Sequence, residues 1–198
     1  MHEELTATIS TTPKLLLSLN LLECDTTGGC LFDKSLCSYH NSHMSRGSTF
    51  QRTSIYGRNF VQALAPPGTI AVLETATSFA EDHKIVFDVL EFTEGERLFG
   101  CCFKKDLAPH DNIFDITSLL AGSRPPELFC PFATPAHSTS VIWRTARFTC
   151  PRGTSKVLFM CENFGTNNGT CAMDNIRVHK LFDVLEVEPC QKDIVAYS

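Results

Sequence analysis

The sequence lacks three features that would assign it to common functional classes. No apolar run is long enough to cross a bilayer, so we expect no transmembrane helix. The 17 lysine and arginine residues are scattered rather than gathered into a stripe, which argues against a nucleic acid partner. The glycine-containing loop at 165–169 has no lysine and no helix pattern after it, which excludes a phosphate-binding loop.

The amino terminus also lacks the pattern of a signal peptide. The chain opens with glutamates where a positive region is expected, and no small-residue cleavage pattern follows the apolar run at 15–22. That run is either the remnant of a signal whose true start was misassigned or the first strand of a domain, and we favour the strand. We therefore expect a disordered segment at 1–14, one domain at 15–182 and a tail at 183–198.

Cysteine is the most informative residue that is present. The 198 residues contain 10 cysteines, more than a reducing cytosol usually favours. Zinc modules generally use close Cys-x2-Cys pairs, whereas the only tight pair here, Cys101 and Cys102, is adjacent and poorly placed to share a metal. Disulfides and an oxidising compartment are therefore favoured over zinc. The sequence leaves the partners of Cys101, Cys102, Cys130 and Cys150 open.

Two cysteine pairs are indicated by their spacing. The segment at 156–178 reads as two apolar strands around a polar loop, a predicted hairpin that carries Cys161 and Cys171 opposite each other. A disulfide there would contribute about 2 to 3 kcal/mol, and the alternative is two buried free thiols. Cys30 and Cys37 enclose a short stretch that a disulfide can close as a small loop.

The predicted loop between Cys161 and Cys171 contains a glycosylation acceptor sequence, Asn168-Gly169-Thr170. Attachment of a glycan to Asn168 has meaning only for a secreted or lumenal chain. The alternative is a tripeptide that arose by chance. The acceptor therefore supports an extracellular location only together with the cysteine content.

Short strand-like runs separated by proline and glycine turns dominate the chain. They occupy residues 60–64, 70–75, 85–92, 98–103, 141–150, 157–161 and 172–178. Residues 38–56 read as irregular, the proline-rich stretch 104–140 as loop-rich, and 114–121 as one short helix. Many short strands without crossover helices predict an all-β sandwich of two antiparallel sheets.

With these residues, the chain resembles the MAM domain, the extracellular module named for meprin, neuropilin and a receptor tyrosine phosphatase. The resemblance covers residues 22–178 and rests on Cys30-Leu-Phe-Asp33 followed by Cys37, on Trp143, and on the closing segment 156–178. The matching residues to which we assign structural roles are Phe32, Trp143, Phe159, Gly169, Asp174 and Ile176.

The resemblance implies a jelly-roll β-sandwich of concanavalin-like type, stapled by disulfides and free of catalytic activity. It implies an extracellular location, including the outer face of the plasma membrane, and a protein partner that includes a second copy of the module. Cys30 and Cys37 match the first pair of the family. Cys190 matches its fourth cysteine, but His83 stands where the usual partner lies, so we expect a rewired bond from Cys24 to Cys190.

Asp174 has two interpretations. It falls in phase with Ala172, Ile176 and Val178, so strand alternation predicts that it turns toward the apolar face. A buried carboxylate there would be held by hydrogen bonds. The alternative is a calcium ligand together with Asp33. We favour the structural role because no dense acidic cluster surrounds either residue, and no other cofactor is expected.

No residue set in the sequence indicates catalysis. His40 and His43 lie in a polar stretch without a third ligand or base nearby. A cysteine–histidine pair carries little weight in a chain with so many cysteines. We therefore predict an extracellular adhesion or protein-interaction module. The alternatives are a lectin-like sandwich that binds glycans with Asn, Asp and aromatic residues at a loop end, and a secreted hydrolase.

Overall fold

The computed structural model describes residues 28–104, 127–135 and 137–181, with the backbone alone at 91–94 and 137–140. Some predicted features lie outside these residues: the segment 1–14, the strand at 15–22, the helix at 114–121, the tail at 183–198, Cys24 and Cys190. Every regular element in the described ranges is a β-strand. Among the same residues no helix has the length and hydropathy of a membrane span.

Ten strands form two antiparallel sheets. They are β1 (His40–Asn41), β2 (Phe50–Ile55), β3 (Arg58–Ala65), β4 (Ile70–Ala76), β5 (His83–Glu94), β6 (Glu96–Lys104), β7 (Leu128–Ala133), β8 (His137–Cys150), β9 (Thr154–Asn163) and β10 (Gly169–Lys180). The first sheet has the order β1-β4-β9-β6-β7, and the second has the order β2-β3-β10-β5-β8. From β3 onward every connection except β6 to β7 crosses between the sheets. The predicted antiparallel jelly-roll β-sandwich is confirmed.

The core between the sheets is built around phenylalanine. Phe87 from the second sheet meets Phe159 from the first at a ring-centroid distance of 5.1 Å, and Phe148 packs against both. The edge-to-face contacts add to the hydrophobic gain from burying the rings. Phe32 and Ile176, to which the sequence assigned structural roles along with Phe159, are also fully buried in this core.

A second apolar cluster lies on the outer face of the first sheet. Ile70 and Val72 of β4 belong to it, together with Leu158 and Met160 of β9. Their chain neighbours Ala71, Leu73, Val157 and Phe159 point into the sandwich core. The central strands of this sheet are therefore apolar on both faces, which explains why they appear in the sequence as continuous apolar runs.

Adjacent cysteines on β6 bond in opposite directions, because neighbouring strand residues face opposite sides of a sheet. Cys101 points outward and bonds to Cys130 on β7. Cys102 points into the core and bonds to Cys150 on β8, which joins the two sheets. The disulfides Cys30–Cys37 and Cys161–Cys171 are also present, so all eight cysteines of the described ranges are bonded.

The segment at 156–178 is not a hairpin, in contrast to the sequence prediction. Strand β9 lies in the first sheet, between β4 and β6, whereas β10 lies in the second, between β3 and β5. The disulfide Cys161–Cys171 therefore crosses the sandwich rather than bridging two hydrogen-bonded neighbours. The loop of residues 164–168 carries the chain from one sheet to the other.

Two other regions also differ from the sequence prediction. Residues 38–56 are not wholly irregular, because they contain β1 and the six-residue strand β2 at the edge of the second sheet. The loop-rich stretch 104–140 contains β7 and the start of β8. Both β2 and β7 are edge strands. The sequence pattern of β2 was missed because the strand is mostly polar and exposed. That of β7 was missed because it contains Pro131, which a strand paired on one side only can tolerate.

Two glycines allow close packing at the loop end of the sandwich. An added Cβ at Gly169 would lie 2.5 Å from the Glu96 side chain. The absence of a side chain at Gly169 lets the buried Glu96 carboxylate pack against the start of β10, where it accepts a hydrogen bond from the Thr170 amide at 3.4 Å. Gly95, between β5 and β6, has φ +114°, and an added Cβ there would lie 2.5 Å from the Gly165 Cα.

Replacing Gly95 by alanine should lower the free energy of unfolding by about 2 to 3 kcal/mol, because the positive φ and the backbone clash act together. Gly57→Ala is the matched control: Gly57 has φ +77° but no atom within 4 Å of an added Cβ. It should lose only about 1 kcal/mol. Urea unfolding of both variants measures the difference, and equal losses would contradict the packing argument.

Candidate functional site

Asp174 lies on the outer face of the second sheet, so the prediction that it faces the apolar core is wrong. Cys171 and Met173 point into the core, and the register of β10 against β5 then shifts between Asp174 and Arg177. Asn175 takes φ +52° at this irregularity, and Ile176 returns to the core. The extra residue of a β-bulge reverses the alternation on which the prediction depended.

Although it faces outward, the Asp174 side chain is 0% exposed and is held by an arginine. Arg58 of β3 donates from Nε to Asp174 Oδ2 at 3.0 Å and from Nη2 to Asp88 Oδ2 at 3.2 Å. The Asn175 amide donates to Asp174 Oδ1 at 2.7 Å, and the Thr145 hydroxyl donates to Asp88 Oδ1 at 2.9 Å. Burying a charged carboxylate without a partner costs free energy, and the hydrogen bonds from the Arg58 guanidinium offset that cost.

Trp143 of β8 completes this cluster on the same outer face, from the strand at the edge of the sheet. Its ring meets Phe60 of β3 edge to face at 5.3 Å, and the Arg58 Cζ lies 3.9 Å from the indole centroid. Strands β5 and β10 separate β8 from β3, and neighbouring strands are about 4.8 Å apart. The side chains of Trp143 and Phe60 therefore extend toward each other over β5 and β10. We call this set, Arg58, Phe60, Asp88, Trp143 and Asp174, the Trp143 platform.

Asp33, the other residue considered for calcium, has partners that do not belong to this network. Its side chain accepts a hydrogen bond from Asn59 Nδ2 at 3.2 Å, and its carbonyl accepts one from Arg52 at 2.7 Å. Within the described ranges, no three histidine, cysteine, aspartate or glutamate residues form a group that could hold a metal ion. Asp33 and Asp174 thus have different hydrogen-bonding partners, and the calcium alternative stays a prediction.

The edge of the second sheet is formed by β8, whose outer side pairs with no strand in the described part of the chain. Val141 and Ile142 are 59% and 60% exposed. Adjacent strand residues face opposite sides, so this edge is apolar on both of its faces. Edge strands are commonly protected by lysine or proline, and His137–Cys150 contains neither. We call Val141, Ile142 and the exposed Arg144 the β8 edge.

Asn168 is exposed in the loop that precedes β10. Asn163 shapes this loop from within: its Nδ2 donates to the Asn167 carbonyl at 2.8 Å, and its Oδ1 accepts from the Gly165 amide at 2.8 Å. The loop conformation is thus fixed by a buried side chain while the acceptor asparagine faces solvent. Glycosylation of Asn168 stays a prediction.

His40 and His43 are both exposed, and His40 lies beside a buried carboxylate on the first sheet. The Glu74 Oε1 is 3.0 Å from Lys156 Nζ and 3.3 Å from His40 Nε2. Burial alone would raise the pKa of Glu74. Hydrogen bonds from Lys156 and Ser42, with the positive charges of Lys156 and His40, outweigh burial and lower that pKa below its ordinary value.

Because its pKa is lowered in the folded state, Glu74 stabilises the fold above the pKa of an ordinary glutamate and loses this contribution as the pH falls through the lowered value. Glu74→Gln should therefore cost about 1 kcal/mol at neutral pH, with a difference from the parent protein that shrinks on acidification. Urea unfolding across this pH range measures it. Glu81→Gln, at the exposed pair with Lys180, is the control and should change stability less.

Arg58, Asp88 and Thr145 were not predicted as site residues from the sequence. The sequence did contain a sign that Asp88 is special, because it is the one charged residue in the apolar run Ile85 to Leu90. It is two residues from the outward-facing Val86, so both side chains lie on the same face of the strand. Arg58 and Phe60 are two residues apart and lie on the same face of β3. The sequence around them does not indicate that either side chain reaches over β10 and β5 to β8. That contact depends on the order of strands in the sheet.

A scan against models of protein families gave no match, and a search of curated proteins gave none. Among solved structures, the K3 cleaved adhesin domain of Lys-gingipain from Porphyromonas gingivalis has a TM-score of 0.50, with 10% identity over 72% of this chain and 92% of that one. The K1 domain of the same protein has a TM-score of 0.49, with 11% identity over 73% and 91%.

A family 11 carbohydrate-binding module from Clostridium thermocellum, solved with a mixed-linked tetrasaccharide, has a TM-score of 0.43. Its identity is 12% over 76% of this chain and 95% of that one. Of the three likenesses, the K3 domain supports the assignment of the fold. At such low identity it shows the fold alone.

Proposed function

We propose that this chain is a non-catalytic extracellular module that recognises proteins in adhesion, in the manner of the MAM domains that its sequence resembles. Disulfides at all eight described cysteines suit an oxidising compartment. The exposed acceptor at Asn168 suits it as well. The K3 domain of Lys-gingipain is an adhesin domain, but its likeness concerns the fold, so the proposal rests on the residues of this chain.

The β8 edge is the observation that carries the proposal. Val141 and Ile142 expose apolar surface on both sides of a strand whose outer edge pairs with no other strand in the described part of the chain. An extended segment of another protein can add to such an edge, with main-chain hydrogen bonds supplying affinity and side chains supplying specificity. The exposed Arg144 adds a residue type that is enriched at protein interfaces.

Bead aggregation and cell binding test this function. Beads coated with the protein should aggregate if the partner is a second copy, and labelled protein should bind cells through a protease-sensitive receptor if it is another protein. The double variant Val141→Thr/Ile142→Thr should reduce the active readout at least tenfold, since threonine keeps strand propensity but removes apolar surface. Leu64→Thr, at a 64% exposed site on β3, is the matched control.

Absence of both aggregation and cell binding by the folded protein would contradict the proposal. Binding that survives protease treatment of the cells but is lost when their glycans are removed would contradict it as well. An equal loss in Leu64→Thr would show that the β8 edge is not the surface involved.

A further inference from the structure

We propose that the Trp143 platform binds an uncharged saccharide, with a sugar ring against the indole and sugar hydroxyls on Arg58, Asp88 and Thr145. A saccharide would bind beyond the proposed protein recognition, on the outer face of the sheet next to the border that the β8 edge forms. The first support is the aromatic surface. Trp143 is half-buried: the Arg58 guanidinium stacks on one face of its ring, Phe60 meets the ring edge to face, and part of the side chain stays exposed to solvent. A flat apolar group beside a few fixed polar groups is the usual composition of a ligand site.

The polar groups beside the indole retain hydrogen-bonding capacity. Arg58 uses Nε and Nη2, and within the described residues its Nη1 makes no hydrogen bond. From the described residues, each Asp88 oxygen accepts one hydrogen bond, which leaves a second lone pair on each. The Asp88 side chain is 21% exposed, so a ligand can reach it. A donor beside two acceptors matches a sugar hydroxyl, which both donates and accepts.

The platform is already ordered before a ligand arrives. Arg58 is fixed by two carboxylates and by its stacking on Trp143, and Asp88 is fixed by Arg58 and Thr145. Because these side chains lose little freedom on binding, the entropic cost of recognition is reduced. Such preorganisation matters for a saccharide, whose many hydroxyl groups must give up water for protein partners of equal quality.

Charge favours an uncharged saccharide over an acidic one. One guanidinium faces two carboxylates, so the platform is net negative and disfavours a carboxylate or sulfate at the indole. Arg147 and Arg177 lie one row further along the same face, beside Val86. A sulfated saccharide is therefore the alternative that the experiment must exclude.

The single tryptophan of the chain makes this site directly observable. We expect the emission of Trp143 to change saturably when the protein is titrated with one of a panel of neutral oligosaccharides: cellotetraose, xylotetraose, β-1,4-galactotriose, N-acetyllactosamine and a mixed-linked β-1,3-1,4 tetrasaccharide. Thr145→Val, which keeps the shape of an exposed side chain but removes its hydroxyl, should weaken binding about tenfold. Circular dichroism confirms that the variant is folded.

Two variants separate this inference from the proposed function. Ile142→Thr, on the face of β8 opposite to Trp143, should reduce adhesion and leave saccharide affinity unchanged, whereas Thr145→Val should weaken saccharide binding about tenfold and leave adhesion unchanged. Phe129→Ala, at a 53% exposed site on the other sheet, should affect neither. No response of Trp143 to any neutral saccharide in the folded protein would overturn the inference. A response to a heparin hexasaccharide alone would overturn it too.

Discussion

Replacing Cys102 and Cys150 together by alanine should lower the free energy of unfolding by about 4 kcal/mol. The bond joins residues 48 apart in sequence, so its removal frees a long loop in the unfolded chain. It also removes a covalent link between β6 of the first sheet and β8 of the second, at two fully buried positions. Urea unfolding measures the loss.

The matched control is Cys30→Ala/Cys37→Ala, which opens a loop of sequence separation 7 and should cost about 2 kcal/mol. Both double variants remove two sulfurs and leave no unpaired thiol behind. The variant that opens the longer loop should lose more stability. A loss at Cys102–Cys150 equal to or smaller than the loss at Cys30–Cys37 would contradict the view that this bond constrains the unfolded chain.

The disulfides show what the sequence could predict. Cys30–Cys37 and Cys161–Cys171 are close in sequence, so spacing alone indicated them. Cys161–Cys171 was nevertheless placed in a hairpin, because direct pairing of two successive strands is the simplest local reading. In a jelly roll, membership of a sheet depends on pairing with distant strands. For Cys101 and Cys102, the alternation of strand side chains already implied partners on opposite faces, but not which partners.

Strands with strong apolar content could be predicted, including β8 at the edge of the second sheet, whereas two polar or proline-containing edge strands could not. The seven predicted strands that lie in the described ranges are all present, each slightly extended in the structure. The two longer strands that were missed, β2 and β7, lie at sheet edges, where one side needs no apolar residues and proline is tolerated. The jelly-roll topology followed from the family resemblance rather than from the strand pattern.

The candidate site was the least predictable part, for a local and a non-local reason. The local reason is the β-bulge after Asp174, which reverses the face to which the following side chains point. In the sequence, only Asn175, a residue type that tolerates positive φ, indicated such a bulge. Non-locally, the contact of Arg58 with Asp174 spans 116 residues of sequence. The sequence predicted a structural role for Trp143, and its side chain lies on the outer face of the second sheet, against Arg58 and Phe60.

Arg58→Met should lower the free energy of unfolding by about 3 kcal/mol, because it removes the guanidinium partner of a fully buried carboxylate. The estimate lies at the low end for buried ion pairs, since the Arg58 side chain is 36% exposed and water screens part of the interaction. The loss of stacking on Trp143 adds to it. Urea unfolding gives the stability, and Trp143 emission reports the environment of the platform.

Two further variants identify the interaction responsible. Arg58→Lys keeps the charge but cannot bind both Asp174 and Asp88 through a planar fork, so its loss should be intermediate. The double variant Arg58→Met/Asp174→Asn should be more stable than Arg58→Met alone, because the buried charge is removed with its partner. If the double variant loses as much as the sum of the two single variants, the two residues do not interact energetically. The platform would then be held by the packing of Phe60 and Trp143 alone.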